Sequence, residues 1–537
     1  MKRLFIFLFI LILFVQLILL FLFVHFRFIG ADEGLLLEAS WQVSKGRIPY
    51  IDFFYVQMPL LPYIYAGLLK LNISSFHTLR LFLIFLSFGL GLVIMVCAYR
   101  NTSPFFPPPQ REGEVALSVI FLYAFNGYVL TCHSLIKVFA WTDLFAFLCF
   151  FLLNLNFLEI SEKVQKSPIT QKKHRLHRLK ALKIFTLRNP LEIRVICGRV
   201  FLAGIFLGIA LNIRATVLPL VPLFVIWNAV GSHSFKQFLF SSAIFILGVL
   251  VVSPLSLYLF FRDPEAFVMN NLIFHLIWYP VQEPKSLFWQ KITAISRYLL
   301  PHAQNFILTL LAFWGVKMSF FDRKSWSGKR REDRTALIAF SFAGVIVITY
   351  LFATPIITQY FVQIIPYCLI MTIPALKRVF EKQDFLWLNK KLFLIVFAAL
   401  YFIMLFPYIL IFIGSVREKD KMWEIKEVMA VARTVQQVSA PQDSVLSWWP
   451  GYVFFANRPP VSHSEFCGYQ FTNRLKEEDY SRYHILNDKQ ITEIISQRRA
   501  KVLVFDEEMT VKFADEIDQS YRFYKEVGEQ LIYLRRE

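Results

Sequence analysis

The sequence predicts a polytopic α-helical membrane protein with about eleven transmembrane helices, followed by a small C-terminal α/β domain. Three observations carry this prediction. Of 537 residues, 56% are hydrophobic and only 18% charged, where a soluble chain carries about 25% charged residues. The apolar residues fall in long runs, with Lys and Arg concentrated between them. That pattern stops near Gly414, and residues 416–537 read as a soluble domain.

The elements follow in order. Residues 1–28, MKRLFIFLFILILFVQLILLFLFVHFRF, form an apolar run too long for a signal-peptide core and lack a small-residue cleavage site, so they read as an uncleaved first helix. Further spans are expected near 81–98, 115–131, 139–158, 199–213, 215–230, 238–261, 303–321, 336–353, 360–376 and 391–414. Each is long enough, or nearly so, for a hydrocarbon core of roughly 30 Å. Residues 199–230 admit one tilted helix or two short ones broken at Asn212, Arg214 and Pro219. Two helices put the basic loops 159–198, 322–335 and 377–391 on the side of Lys2 and Arg3, as the positive-inside rule requires. The expected location is the plasma (inner) membrane with a cytoplasmic N-terminus. Residues 1–415 then form the membrane domain, and its loops at about 31–80 and 262–302 lie outside the cytoplasm with the 416–537 domain.

In that domain, residues 422–438 read as an amphipathic helix and 444–448, 501–505 and 530–534 as short strands. The insertion 161–188 is rich in Lys, Arg, His and Gln and reads as a solvated cytoplasmic loop against anionic lipid. The Pro-rich stretch 104–109 is a second cytoplasmic connector. The net charge of +19 lies in these loops rather than in one basic domain, which argues against a nucleic-acid partner. Six scattered cysteines show neither a disulfide framework nor zinc-ligand spacing. No cofactor is evident, and a divalent metal is neither indicated nor excluded.

The chemistry concentrates in ADEGLLLEASWQVSKGRIPYIDFFYVQMPLL, residues 31–61, where Asp32 and Glu33 follow directly on an apolar run. A charge at the centre of a spanning helix costs about 2.5 to 3.5 kcal/mol on insertion scales, so both carboxylates are expected where water or a polar substrate reaches them. The plainer alternative is that they merely end the first helix. Asp143 stands near the outer start of the fourth span and should face a polar cavity rather than lipid, or else serve as a carboxylate favoured by the helix dipole. Lys137, six residues earlier, reaches toward a phosphate or snorkels to the interface.

The same segment resembles the first extracytoplasmic loop of the GT-C glycosyltransferases, in particular the protein O-mannosyltransferase and aminoarabinose transferase relatives. The shared elements are Asp32, Glu33, Gly46, Pro49, Tyr50, Asp52, Phe53, Pro59 and Leu60. The segment VLSWWPGYVFFANRPPVS also resembles a post-membrane strand, helix and Arg-Pro segment of those relatives. The resemblance implies a GT-C fold and transfer of a monosaccharide from a polyprenyl-phosphate carrier to an extracytoplasmic glycan, lipid or protein. Such transfer needs a base for the acceptor proton, cations or donors for the leaving phosphate, and an apolar groove for the lipid. On this reading Asp32 is the base, Glu33 orients it or binds the acceptor, and Asp143 positions the acceptor. Lys137, Arg214, His275, Arg297, Gln359 and Tyr360 are the substrate-side candidates, with Gln57 beside them. Arg214 matches a basic residue between two short helices, and His275 a loop histidine. Tyr360 and Pro366 match a late-helix Tyr-Pro pattern, with Gln359 where His or Arg is common. One departure concerns the substrate: aminoarabinose transferases carry Lys just before the proline matching Pro59, and this chain has Met58 there.

A transporter or flippase of lipid-linked glycans is the alternative from another class. It would place ionisable residues at mid-membrane and show repeated halves with discontinuous helices. Neither pattern stands out in the sequence. A non-catalytic scaffold is the third reading, and it requires the acids to be dispensable.

Overall fold

The computed structural model describes residues 2–537 except 72, 74, 103–109, 167–189, 231–234, 278–283, 300–301, 322–329, 353–356, 382–389 and 413–421. The 104–109 connector and most of the three basic loops therefore lie outside the described residues.

Long apolar runs become helices because in lipid every backbone N–H and C=O must be satisfied within the segment. Among the described residues, six helices are long and apolar enough to cross a membrane, and nine segments qualify when each of three bent pairs makes one span. The shorter apolar helices Ala215–Asn228 and Ile395–Leu410 add to these. About eleven spans were expected, and length and composition thus support six to nine. The difference lies in the two short segments and in the bends. Gly113–Ala124 meets Gly127–His133 at 54°, and Phe235–Val251 meets Pro254–Arg262 at 72°. Asn126 caps the helix after the first bend by accepting from Val129 N at 3.0 Å, and Pro254 starts the helix after the second.

Residues 31–80 hold more structure than a loop. Helix Ala31–Ser44 follows the first span, helix Leu60–Lys70 comes next, and the second span begins at Phe76. Asp32 and Glu33 therefore do not end the first helix but open a new one, whose N-cap is Gly30. Two of the motif residues have local structural roles. Gly46 takes φ +89°, a conformation that glycine adopts without steric cost, and Asp52 Oδ2 accepts from Ile48 N at 2.7 Å. The expected outer loop 262–302 likewise contains short helices and the 16-residue helix Pro284–Leu299.

The C-terminal part is α/β. Strands β1 (Val445–Ser447), β2 (Val502–Phe505), β3 (Tyr521–Val527) and β4 (Gln530–Arg535) form one sheet in the order β1-β2-β4-β3. The β1–β2 pair is parallel and the others are antiparallel. β3 was not expected from the sequence. The sheet is fastened to the membrane part through a shared apolar core that joins Ile29, Leu36 and Leu37 to Val431, Trp449 and Ile532. Trp449 Nε1 donates to Ala31 O at 2.8 Å, and Gly34 lets the indole lie close, since a Cβ there would stand 2.6 Å from the ring.

Candidate active site

Glu33 and Arg80 form the frame. Glu33 Oε1 accepts from Arg80 Nε at 2.9 Å and Ile136 N at 2.7 Å, and Oε2 accepts from Arg80 Nη2 at 2.5 Å and Gly30 N at 2.7 Å. Both side chains are fully buried. Arg80 also donates to the carbonyls of Val24, Arg27 and Phe28, which lock the end of the first span. A carboxylate offers about four lone-pair positions, and all are filled here. Glu33, expected to orient Asp32 or bind the acceptor, spends both oxygens on Arg80, Ile136 N and Gly30 N.

The bond to Ile136 N fixes the turn before the helix that begins at Val138 and sets Lys137 beside the loop helix. Lys137 Nζ lies 2.9 Å from Asp32 Oδ2 and donates to Gln359 Oε1 at 3.2 Å. The Asp32 side chain keeps 36% of its surface and is accessible, whereas Lys137 keeps 10%. Gly30 lies under the lysine stem, where a Cβ would come within 3.2 Å of Lys137 Cε. Three expected residues, Asp32, Lys137 and Gln359, are therefore brought together.

Arg214 and Tyr360 form the next group. The guanidinium stands over the rings of Phe139 and Tyr360, 4.7 Å from each centroid, and 5.6 Å from that of Tyr350. Tyr360 stacks on Tyr350 at 4.9 Å. Arg214 Nη1 is buried without a hydrogen-bond partner among the described residues. A cation held on aromatic faces with a donor unspent is suited to an anionic oxygen.

Asp143 is placed differently from expectation. Its side chain is 1% exposed, and Oδ2 lies 2.9 Å from His133 Nε2. His133 Nδ1 continues to Ser87 Oγ at 3.2 Å, and the Ser87 carbonyl accepts from the Tyr123 hydroxyl at 2.7 Å. The carboxylate faces the protein interior, as an acid in a span must. His275 is also structural in its contacts. Its Nε2 donates to Val56 O at 2.8 Å, fastening the outer loop onto the first, and burial holds its pKa below the ordinary histidine value. Gln57 accepts through its backbone carbonyl from the Tyr50 hydroxyl at 2.5 Å. Arg297 is exposed, and no hydrogen bond or ion pair joins it to the other candidates. Among the described residues no three His, Cys, Asp or Glu side chains stand together as metal ligands.

Sequence reasoning missed Arg80 and His133. Both are ionisable residues near or within apolar runs, and an inward partner is the expectation for any such residue.

The fold has solved counterparts. Two crystal structures of ArnT from Cupriavidus metallidurans, one apo and one bound to undecaprenyl phosphate, match with TM-score 0.63 and 11% identity. Each match covers 98% of this chain and 97% of the other. No protein-family model and no curated protein matches the sequence.

Proposed function

We propose that this protein is an integral membrane glycosyltransferase of the GT-C class that moves a monosaccharide from a polyprenyl-phosphate carrier to an extracytoplasmic acceptor. The observation that carries the reading is the reachable Asp32 carboxylate ion-paired with Lys137, in a chain whose fold follows ArnT over nearly its whole length. One of those ArnT structures holds undecaprenyl phosphate, and we assign the same class of carrier to this chain.

In the proposed reaction the acceptor hydroxyl or amine attacks the anomeric carbon. The bond from that carbon to the phosphate oxygen breaks, and the bonding electrons leave with the phosphate. Asp32 takes the acceptor proton, which converts a weak nucleophile into a competent one. Lys137 and Arg214 meet the charge that grows on the leaving phosphate, and Gln359 and Tyr360 hold those two cations in place. Glu33, with Arg80, is a positioning residue, as is Asp143 with His133. Residues 1–415 form the membrane domain and 416–537 the ectodomain. The N-terminus is cytoplasmic, and Asp32 and the ectodomain share the outer side of the plasma membrane.

The experiment is incubation of the purified protein with a panel of synthetic polyprenyl-phosphate sugars and envelope extracts as acceptor. The reading expects a labelled sugar on an acceptor and free polyprenyl phosphate in equal amount. Transfer from a nucleotide sugar with no lipid carrier would contradict it. Movement of the lipid-linked sugar across the bilayer without bond cleavage would support the transporter reading instead.

A further inference from the structure

A cavity of about 320 Å³ lies where the C-terminal domain meets the loop helix. Half-buried Trp423, Trp448 and Tyr469 line it together with Tyr452, Asp506 and Gln530. Its wall includes Ala31, the residue before Asp32.

The walls are fixed by the fold. Trp448 follows β1 and Asp506 follows β2, the two parallel neighbours, so the cavity opens at the carboxyl ends of the parallel strands. That is where open α/β sheets place ligands. The Gly468 amide donates to Trp448 O at 3.0 Å, and a Cβ on Gly468 would stand 3.0 Å from the Trp448 indole nitrogen. Asp506 spends Oδ1 on capping Met509 N at 2.9 Å. Oδ2 makes no hydrogen bond to the described residues. Gln530 and Tyr452, 4% and 2% exposed, line the cavity, and their polar atoms stay open to it rather than being sealed in. Polar side chains on a cavity wall that are open to it can bond a ligand in place of water.

We infer that this cavity binds a sugar ring of the acceptor, a neutral or amino sugar, and presents it to Asp32. The indole and phenol faces take the C–H face of a pyranose, because the negative π face attracts polarised hydrogens. The carboxylate, carboxamide and phenol hydroxyl supply the donors and acceptors that a ring of hydroxyls needs. A lipid tail would leave those groups unpaired. A phosphate or uronate would meet the Asp506 carboxylate with no lysine or arginine on the wall to offset it. The volume sits at the small-molecule end of the pocket range of about 300 to 1,000 Å³, too small for a folded peptide segment. That the sugar belongs to the acceptor rests on the transferase reading, whereas sugar binding itself does not.

The test uses the full-length protein in lipid nanodiscs on an array of defined oligosaccharides ending in neutral, amino or uronic sugars, with tryptophan fluorescence titration of the glycans bound. The wild type is expected to bind neutral or amino termini. Tyr452→Phe with Gln530→Met, which keep shape and remove hydrogen bonds, should weaken binding at least about tenfold, the scale of one buried unsatisfied bond. The inference is overturned by binding to no glycan, by a preference for uronates, by undiminished binding in the Tyr452→Phe single variant and the double variant, or by quenching with lysophosphatidylglycerol alone. Transfer that proceeds with an unchanged acceptor KM in the double variant removes the site and leaves the reaction. Glycan binding with no transfer from any polyprenyl-phosphate sugar keeps the sugar site and removes its acceptor role.

Discussion

Lys137 Nζ stands 2.9 Å from Asp32 Oδ2, and the same ammonium holds Gln359 at 3.2 Å, so three separate segments meet at one carboxylate. If Lys137 faces the leaving phosphate, Lys137→Met removes charge stabilisation that grows in the transition state. Single-turnover transfer should fall by about 10² to 10³, the scale of losing one preorganised donor. Unchanged single-turnover rates would remove Lys137 from the reaction and leave it as an interface anchor.

Glu33→Gln should affect stability before chemistry. It leaves the buried Arg80 without its counter-charge, and breaking a buried pair on one side costs about 3 to 5 kcal/mol. Thermal denaturation in detergent should show a large fall in midpoint, whereas Asp32→Asn, at a partly exposed carboxylate, should stay within about 0.5 kcal/mol of the wild type. A wild-type midpoint for Glu33→Gln would mean that the frame described for Arg80 is wrong.

These two carboxylates also show how far the sequence could be read. The border of an apolar run marks Asp32 and Glu33 together, but nothing local separates a reachable carboxylate from a buried brace. The distinction is set by Arg80, 47 residues away from Glu33. A lone arginine at the start of a span reads equally well as an interfacial anchor. The spans themselves are legible, because long apolar runs have few other uses, and each expected run coincides with a helix, a bent pair or a short apolar helix. The bends are not, since hydropathy carries no direction. β1, β2 and β4 are legible as short apolar runs, whereas β3 is exposed along most of its length and shows no buried alternation.

Stability should depend on pH through Glu38, which lies in the loop helix outside the spans. It is fully buried, and burial raises its pKa from 4.5 to about 8, with Gln42, Lys45 and Arg47 opposing the shift and Glu465 adding to it. Between pH 4.5 and 8 the unfolded chain binds fewer protons here than the folded one. Stability therefore falls as pH rises through that window, by up to about 1.4 kcal/mol per unit, and levels off above it. Glu38→Gln should flatten this slope in denaturation midpoints measured across the window. An unchanged slope would show that Glu38 is ionised when folded.

Sidedness is tested by single cysteines in a background with Cys197 replaced by serine. Ser496 and Arg330 are both exposed, the first in the α/β domain and the second beside a basic loop. Ser496→Cys should react with a membrane-impermeant thiol reagent in intact spheroplasts, and Arg330→Cys only after permeabilisation. The reverse pattern would place the ectodomain and Asp32 in the cytoplasm, away from a lipid-linked donor presented outside.

The most direct measurement is the transfer rate of Asp32→Asn with a polyprenyl-phosphate sugar that the wild type uses. The amide keeps the shape and can still accept a hydrogen bond from Lys137, but it cannot take the acceptor proton. Turnover should fall by about 10² to 10⁴, with donor binding and thermal midpoint as in the wild type. Near-normal turnover in Asp32→Asn would contradict the assignment of Asp32 as the base, and with it the account of the site.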